Sequence, residues 1–270
     1  MINLFIAIPA FGGKVHARFT SSLISLSNLL NKEKVNHTIE FLTTESLISR
    51  GRNSMIAEFY SNPNYSHILF LDSDLIFNPK AVLVMLSRKK EIIGCPYPKK
   101  IYNLEKLSKL LSEDTDIDTI FKEKAGLITD INYNLEDLEA NPETDLCILA
   151  KDIPTGFMLL KRSAITAMMI NYTNRQYRNN IAGMKSNNDH YYFDLFGTGV
   201  VDGIYLSEDY FFCYLARKIG LECWLETGFT FGHIGSNTFY GNLHEQLVKY
   251  GTDDNLNLDK NILNDHNESD

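Results

Sequence analysis

The chain has 270 residues, of which 44% are hydrophobic, 11% aromatic and 22% charged. That is enough apolar material to bury a core and too much for a disordered or fibrous chain. A formal net charge of -8 sets the summed field against phosphate backbones, which argues against a protein that coats nucleic acid by counterion release. The charge is uneven: between Thr252 and Asp270 five Asp and one Glu face one Lys, a net -5, so the other 251 residues carry -3.

Cys95, Cys147, Cys213 and Cys223 are far apart and show no Cys-x-x-Cys spacing. They indicate neither a zinc site nor a redox pair, and read as buried thiols. Met1 to Phe11 is apolar but short, lacks a basic flank and runs into Gly12-Gly13, so it reads as a first strand rather than a signal peptide. No stretch reaches the roughly 18 apolar residues of a membrane span. A soluble, cytoplasmic protein with no membrane span and no nucleic-acid partner is expected.

In chain order, Leu4 to Ile8 is a continuous apolar run that suits a strand covered on both faces. Phe19 to Leu30 carries apolar residues at helical spacing, and Thr38 to Thr43 is a short apolar stretch. Ser46 to Tyr60 predicts a second helix, His67 to Leu71 a third strand, Lys80 to Ser87 a helix and Ile92 to Gly94 a fourth strand. This alternation predicts an α/β fold with a mixed, mostly parallel central sheet flanked by helices. From Asn103 to Ala150 the pattern weakens, with an acidic stretch at Glu113 to Asp118 and short strands near Leu127 to Tyr133 and Leu146 to Ala150. Gly156 to Leu160 reads as a buried strand, Ser163 to Tyr172 as a helix and Asn174 to His190 as a mobile loop. Glu208 to Ile219 predicts a helix capped by Ser207, and Glu222 to Phe231 a final strand. With no internal repeat or long linker, residues 1–250 read as one domain with a variable insertion at 103–150, and 251–270 as a flexible acidic tail.

The sharpest motif is Asp72-Ser73-Asp74, two carboxylates at the mouth of the apolar strand Ile68 to Leu71. Ligands of α/β sheets bind at the carboxyl ends of strands. Two acids there suit a divalent cation, and a hard cation with open positions bridges a diphosphate. A helix-loop-helix calcium loop needs a Gly at its sixth position, where Phe77 stands. A phosphatase of the Asp-x-Asp-x-Thr type would have Thr in place of Ile76. A nucleotidyltransferase would want an arginine in the loop Ala10 to Lys14, which has none. Ser49-Arg50-Gly51-Arg52-Asn53 opens the preceding helix, and guanidinium forks at a helix start form an anion site. Glu208 and Asp209 open a later helix, either as plain dipole partners or as an acid pair with Asp209 a general base and Glu208 orienting or binding it. His233, between Gly232 and the Gly235-Ser236 pair, is a candidate metal ligand or phosphate contact, its glycines allowing close backbone approach.

The series RGRN, LDSD, GCPYPKK (Gly94 to Lys100), DIPTGFMLLKR (Asp152 to Arg162), LSEDYFFC (Leu206 to Cys213) and GHIGSNTFYGN (Gly232 to Asn242) resembles the small GT-A glycosyltransferases of bacteria, phages and large DNA viruses. The resemblance spans residues 1 to 242 and lies in the order of the motifs. It implies a Rossmann-like sheet, Mn2+ or Mg2+, a nucleotide-sugar donor (a UDP- or GDP-sugar) and a glycan, lipid-linked or protein hydroxyl as acceptor. On this resemblance Asp74 is a direct metal ligand, Asp72 a ribose or water-mediated metal contact and His233 the metal ligand from the C-terminal part. Pro9 and Ala10 line the nucleobase pocket. Arg52 and Asn53 match the helix that reaches the nucleotide sugar, and Gly156 and Phe157 border sugar and acceptor; Arg50, Ser73 and Ser236, beside these motifs, are further candidates for the donor site. Asp209 is the base of an inverting displacement. A retaining enzyme on the same fold and a non-catalytic sugar-nucleotide or glycan-binding protein are the alternatives. Ile153-Pro154 before Thr155-Gly156-Phe157 departs from the family pattern, and Asn103 to Ala150 matches none of its motifs.

Overall fold

The computed structural model describes residues 2–113, 115–135, 145–179 and 190–251. Residues 252–270 of the expected acidic tail, residues 136–144 of the expected insertion and residues 180–189 of the expected mobile loop lie outside the described residues.

The chain opens as β1 (Asn3–Pro9), α1 (Ala17–Lys32), β2 (Asn36–Leu42), α2 (Ile48–Ser61), β3 (His67–Leu71), β4 (Leu75–Ile76), α3 (Lys80–Arg88) and β5 (Ile92–Gly94). There follow β6 (Pro98–Tyr102), α4 (Leu104–Ser112), α5 (Ile117–Glu123), β7 (Thr129–Ile131), β8 (Asn134–Leu135) and β9 (Cys147–Asp152). The rest is β10 (Phe157–Lys161), α6 (Arg162–Asn171), β11 (Gly199–Val201), β12 (Ile204–Leu206), α7 (Glu208–Lys218), β13 (Cys223–Glu226), β14 (Phe231–Ile234), β15 (Thr238–Gly241) and α8 (Leu243–Tyr250).

Among the described residues, eight strands form the main sheet in the order β2-β1-β3-β10-β5-β13-β9-β8. β1 pairs in parallel with both β2 and β3, and β13 in parallel with β5. β10 runs against β3 and β5, and β9 against β13 and β8. The sheet is thus mixed, with most strands pointing one way. Strand alternation splits the core. Phe5, Ala7, Ile68 and Phe70 pack beneath α2, α6 and α7, while Leu4, Ile6, Leu69 and Leu71 pack beneath α1 and α3. Both faces are covered, which is why these strands read as unbroken apolar runs.

Three local expectations need correction. The final strand expected over Glu222 to Phe231 is two strands: β13 ends at Glu226, Thr227 N–H bonds to the Leu146 carbonyl at 2.8 Å, and β14 begins a second sheet, β15-β14-β4. The weakly patterned stretch after Asn103 carries two helices. Asn103 accepts the Lys106 N–H and Asp116 the Thr119 N–H as side-chain caps, and Leu110, Ile120 and Ile128 close a satellite core. Ser207 stands at the N-cap of α7 without a side-chain cap bond; its hydroxyl goes to the Asp209 carboxylate instead. The four cysteines are free thiols; Cys95, Cys213 and Cys223 are buried as expected, whereas Cys147 is only half-buried, and no helix of the described residues is long and apolar enough to cross a membrane.

Candidate functional site

The carboxyl ends of β1 and β3 meet the start of β10 at one sheet edge, since Phe157 is registered against Leu71. Pro9 ends β1 there and Ala10 follows it, with Ala10 N–H bonded to the Leu42 carbonyl at 2.8 Å. Asp72 follows β3 and donates its backbone N–H to the Gly156 carbonyl at 2.8 Å. The Gly156 N–H in turn donates to the Tyr97 hydroxyl at 3.1 Å. A Cβ on Gly156 would overlap both that hydroxyl and the Asp72 carboxylate. Glycine is required here by close approach.

Arg52 organises the cluster. Its side chain is 3% exposed and donates from Nη2 to Asp72 Oδ1 at 3.1 Å and from Nε to Glu208 Oε1 at 3.2 Å. Burial alone would pull the guanidinium down, but the charges of Asp72 and Glu208 hold it above its ordinary value. Its Nη1 is buried without a protein partner, so this desolvated cation keeps one unmet donor. The Thr155 hydroxyl also reaches Glu208 Oε1, at 3.4 Å.

Asp209 lies one residue on, at the first turn of α7, and is buried. Desolvation, with the Glu208 charge adding to it, raises its carboxyl from 3.8 to about 6, against hydrogen bonds from Ser207 and Tyr210 N–H that favour the anion. A carboxylic acid near 6 suits proton abstraction near neutral pH. Tyr97 senses the same group of charges. Burial, Asp72 and Asp209 push its hydroxyl well above the ordinary value, with Arg52 opposing.

Asp74 meets His233 through the second sheet. β4 pairs with β14, so Leu75 is opposite His233 and the Ile234 N–H bonds to the Asp74 carbonyl at 2.8 Å. His233 Nδ1 lies 2.7 Å from the Pro98 carbonyl, and Nε2 faces Asp74 Oδ2 at 3.4 Å. Lys100 Nζ stands 2.5 Å from the same oxygen. Burial would raise the Asp74 carboxyl, but hydrogen bonds and charge from His233 and Lys100 outweigh it and hold the group at about 2. Ser73 lies in the turn between the two acids, and exposed Ser236 in the β14–β15 turn.

Among the described residues no three His, Cys, Asp or Glu side chains converge as a metal-binding group. Asp72 gives Oδ1 to Arg52. Asp74 and His233 supply one oxygen and one nitrogen, with the ring oriented through its other nitrogen. That pair fits a cation completed by substrate oxygens, in the way that Mg2+ is bound through one or two carboxylates and phosphates.

Other expected site residues are engaged elsewhere. Arg50 is a fork on Glu45, at 2.6 and 3.0 Å. It lies on a different face of α2 from Arg52, and both follow a helix start at Ile48. Asn53 donates to Asp194 Oδ1 at 3.0 Å and accepts the N–H groups of Leu195 and Phe196 at 3.1 and 2.9 Å. The Phe157 ring is fully buried between Phe77 and Phe231, with centroids at 5.1 and 4.8 Å; only its backbone borders the site. Tyr97, Lys100 and Thr155 are site residues that the motif reading did not single out, although the quoted GCPYPKK and DIPTGFMLLKR segments contain them.

No protein-family profile matches the chain, and no curated protein matches it. Among solved structures it is similar to A197 from STIV, with TM-score 0.46, 14% identity, and 87% of this chain and 86% of that one covered. It is also similar to a glycosyltransferase involved in the glycosylation of the major capsid of PBCV-1, with TM-score 0.30, 15% identity, and coverage of 67% and 68%. A third likeness is to S. aureus TarS 1-349, with TM-score 0.33, 14% identity, and coverage of 89% of this chain and 60% of that one. At these scores and identities the likenesses are loose.

Proposed function

We propose that this chain is a glycosyltransferase that moves a sugar from a nucleotide-sugar donor, a UDP- or GDP-sugar, to a hydroxyl of a glycan, lipid-linked or protein acceptor with inversion. The motif order supports the reading. The observation that carries it is the cluster in which buried Arg52 has Nη1 without a protein partner while Asp72 and Glu208 hold its other nitrogens, beside an Asp209 carboxyl raised to about 6.

In this reading Asp209 accepts the proton of the acceptor hydroxyl as its oxygen forms a bond to the anomeric carbon. The bond from that carbon to the phosphate oxygen breaks, and its electron pair leaves with the nucleoside diphosphate. Arg52 donates from Nη1 to the departing phosphate, where negative charge grows, and the fixed carboxylates of Asp72 and Glu208 keep the guanidinium in place beforehand. Asp74 and His233 would hold a divalent cation, whose charge would offset that of the leaving diphosphate. Pro9 and Ala10 stand at the edge where the nucleobase would lie, and Gly156 lets Asp72 and Tyr97 pack close together beside the sugar position.

A panel of nucleotide sugars with Mn2+, screened for thermal stabilisation and nucleoside diphosphate release, tests the proposal. One donor should stabilise the fold and release its nucleoside diphosphate. Release of inorganic phosphate or pyrophosphate instead would point to a phosphatase or nucleotidyltransferase. Stabilisation without any turnover would point to a binding protein.

A further inference from the structure

Lys100 has no role in the scheme above, yet its placement is specific. It lies on β6 two residues after Pro98, so one strand both receives His233 on a carbonyl and sets an ammonium 2.5 Å from Asp74 Oδ2. A carbonyl only accepts, so His233 Nδ1 carries the hydrogen shared with Pro98 and the ring is turned with Nε2 toward Asp74. Nε2 and Lys100 Nζ thus converge on one carboxylate oxygen, Asp74 Oδ2, at 3.4 and 2.5 Å. The Lys100 ammonium is a positive charge, covalently attached, at the oxygen a cation would need. Its stem is also housed: a Cβ on Gly235 would come within 3.1 Å of Lys100 Cδ, so the β14–β15 turn leaves the lysine its path.

We infer that Lys100 is a tethered competitor for the divalent cation at Asp74 and His233, released to the donor's diphosphate when cation and donor bind together. The inference rests on the metal-dependent reading of the same site. An ammonium already on Asp74 has to be displaced, so the cation alone binds weakly. A diphosphate gives that ammonium a new partner, so cation and diphosphate raise one another's affinity by the same factor.

Equilibrium dialysis of Mn2+ tests this, with and without inorganic pyrophosphate, the protein-free chamber accounting for Mn2+ that pyrophosphate holds in solution. The protein is the full chain, as wild type, Lys100→Met, Lys100→Arg and Asp74→Asn. Lys100→Met keeps the apolar stem and removes the charge; it should bind Mn2+ alone about tenfold more tightly than wild type and gain less from pyrophosphate. Lys100→Arg should behave as wild type, and Asp74→Asn should lose binding. If wild type and Lys100→Met hold Mn2+ equally, with Asp74→Asn still losing it, the competitor role is overturned and the metal reading stands. If none of the proteins retains Mn2+ in either condition, both are overturned.

Discussion

Arg52 Nη2 lies 3.1 Å from Asp72 Oδ1, and the guanidinium that makes this bond is 3% exposed. Glu208 holds its Nε from α7, 156 residues further along the chain. Two carboxylates therefore share one buried cation. Removing the cation would leave two partly solvated carboxylates without their shared counter-charge, which gives Arg52 a structural role.

Replacing Arg52 by Met should therefore destabilise the fold by about 2–3 kcal/mol at neutral pH, less than for a fully enclosed pair because Asp72 and Glu208 are partly solvated. Urea denaturation checks it. A variant as stable as wild type would mean that the two carboxylates are not held by Arg52.

Asp209 makes a pH prediction of known sign. Its folded value of about 6 lies above the ordinary 3.8, so the stability it contributes is full below the ordinary value and is lost as pH rises through 6. Asp209→Asn has no such loss. The variant should match wild type near pH 4 and exceed it at pH 8 by on the order of 2 kcal/mol, read from denaturation midpoints at the two pH values. Transfer by wild type should rise with pH through about 6 as the base loses its proton.

Asn53 should prove a clamp. Asn53→Ala strips the partners from two buried N–H groups, at Leu195 and Phe196, and should cost about 2–3 kcal/mol. Thermal unfolding reads the loss. An unchanged midpoint would mean that segment 194–196 does not depend on α2.

Gly156→Ala should cost about 1–3 kcal/mol, since the new methyl would overlap the Tyr97 hydroxyl and the Asp72 carboxylate. Tyr97→Phe in the same chain removes one of these obstructing atoms and should recover part of the loss. Simple additivity of the two changes would contradict the contact.

Much of this fold is written locally. β1, β3 and β10 are buried on both faces and read as unbroken apolar runs, and α1 shows Phe19, Leu23, Leu26 and Leu30 at helical spacing. The acids Asp72, Asp74, Glu208 and Asp209 stand out because carboxylates at strand mouths and helix starts are conspicuous against apolar neighbours. What could not be read is pairing between distant segments. β4 is two residues long, and only its bridge to β14 brings His233 to Asp74. The partners of Arg50 and Asn53 depend on where Glu45 and Asp194 come to rest, which no local pattern states. Lys100 and Tyr97 sit in a quoted motif, but their reach to Asp74 and Gly156 follows from β6 lying against β14 and β15. The helices α4 and α5 carried legible caps at Asn103 and Asp116; the surrounding charge masked their short apolar stripes.

The most direct measurement of the central claim compares wild type and Asp209→Asn for sugar transfer and for donor binding, using the nucleotide sugar that the screen selects. Wild type should release nucleoside diphosphate and give a product of inverted anomeric configuration by NMR. Asp209→Asn should bind the donor with unchanged affinity and transfer no sugar. Transfer by Asp209→Asn at the wild-type rate would contradict the account.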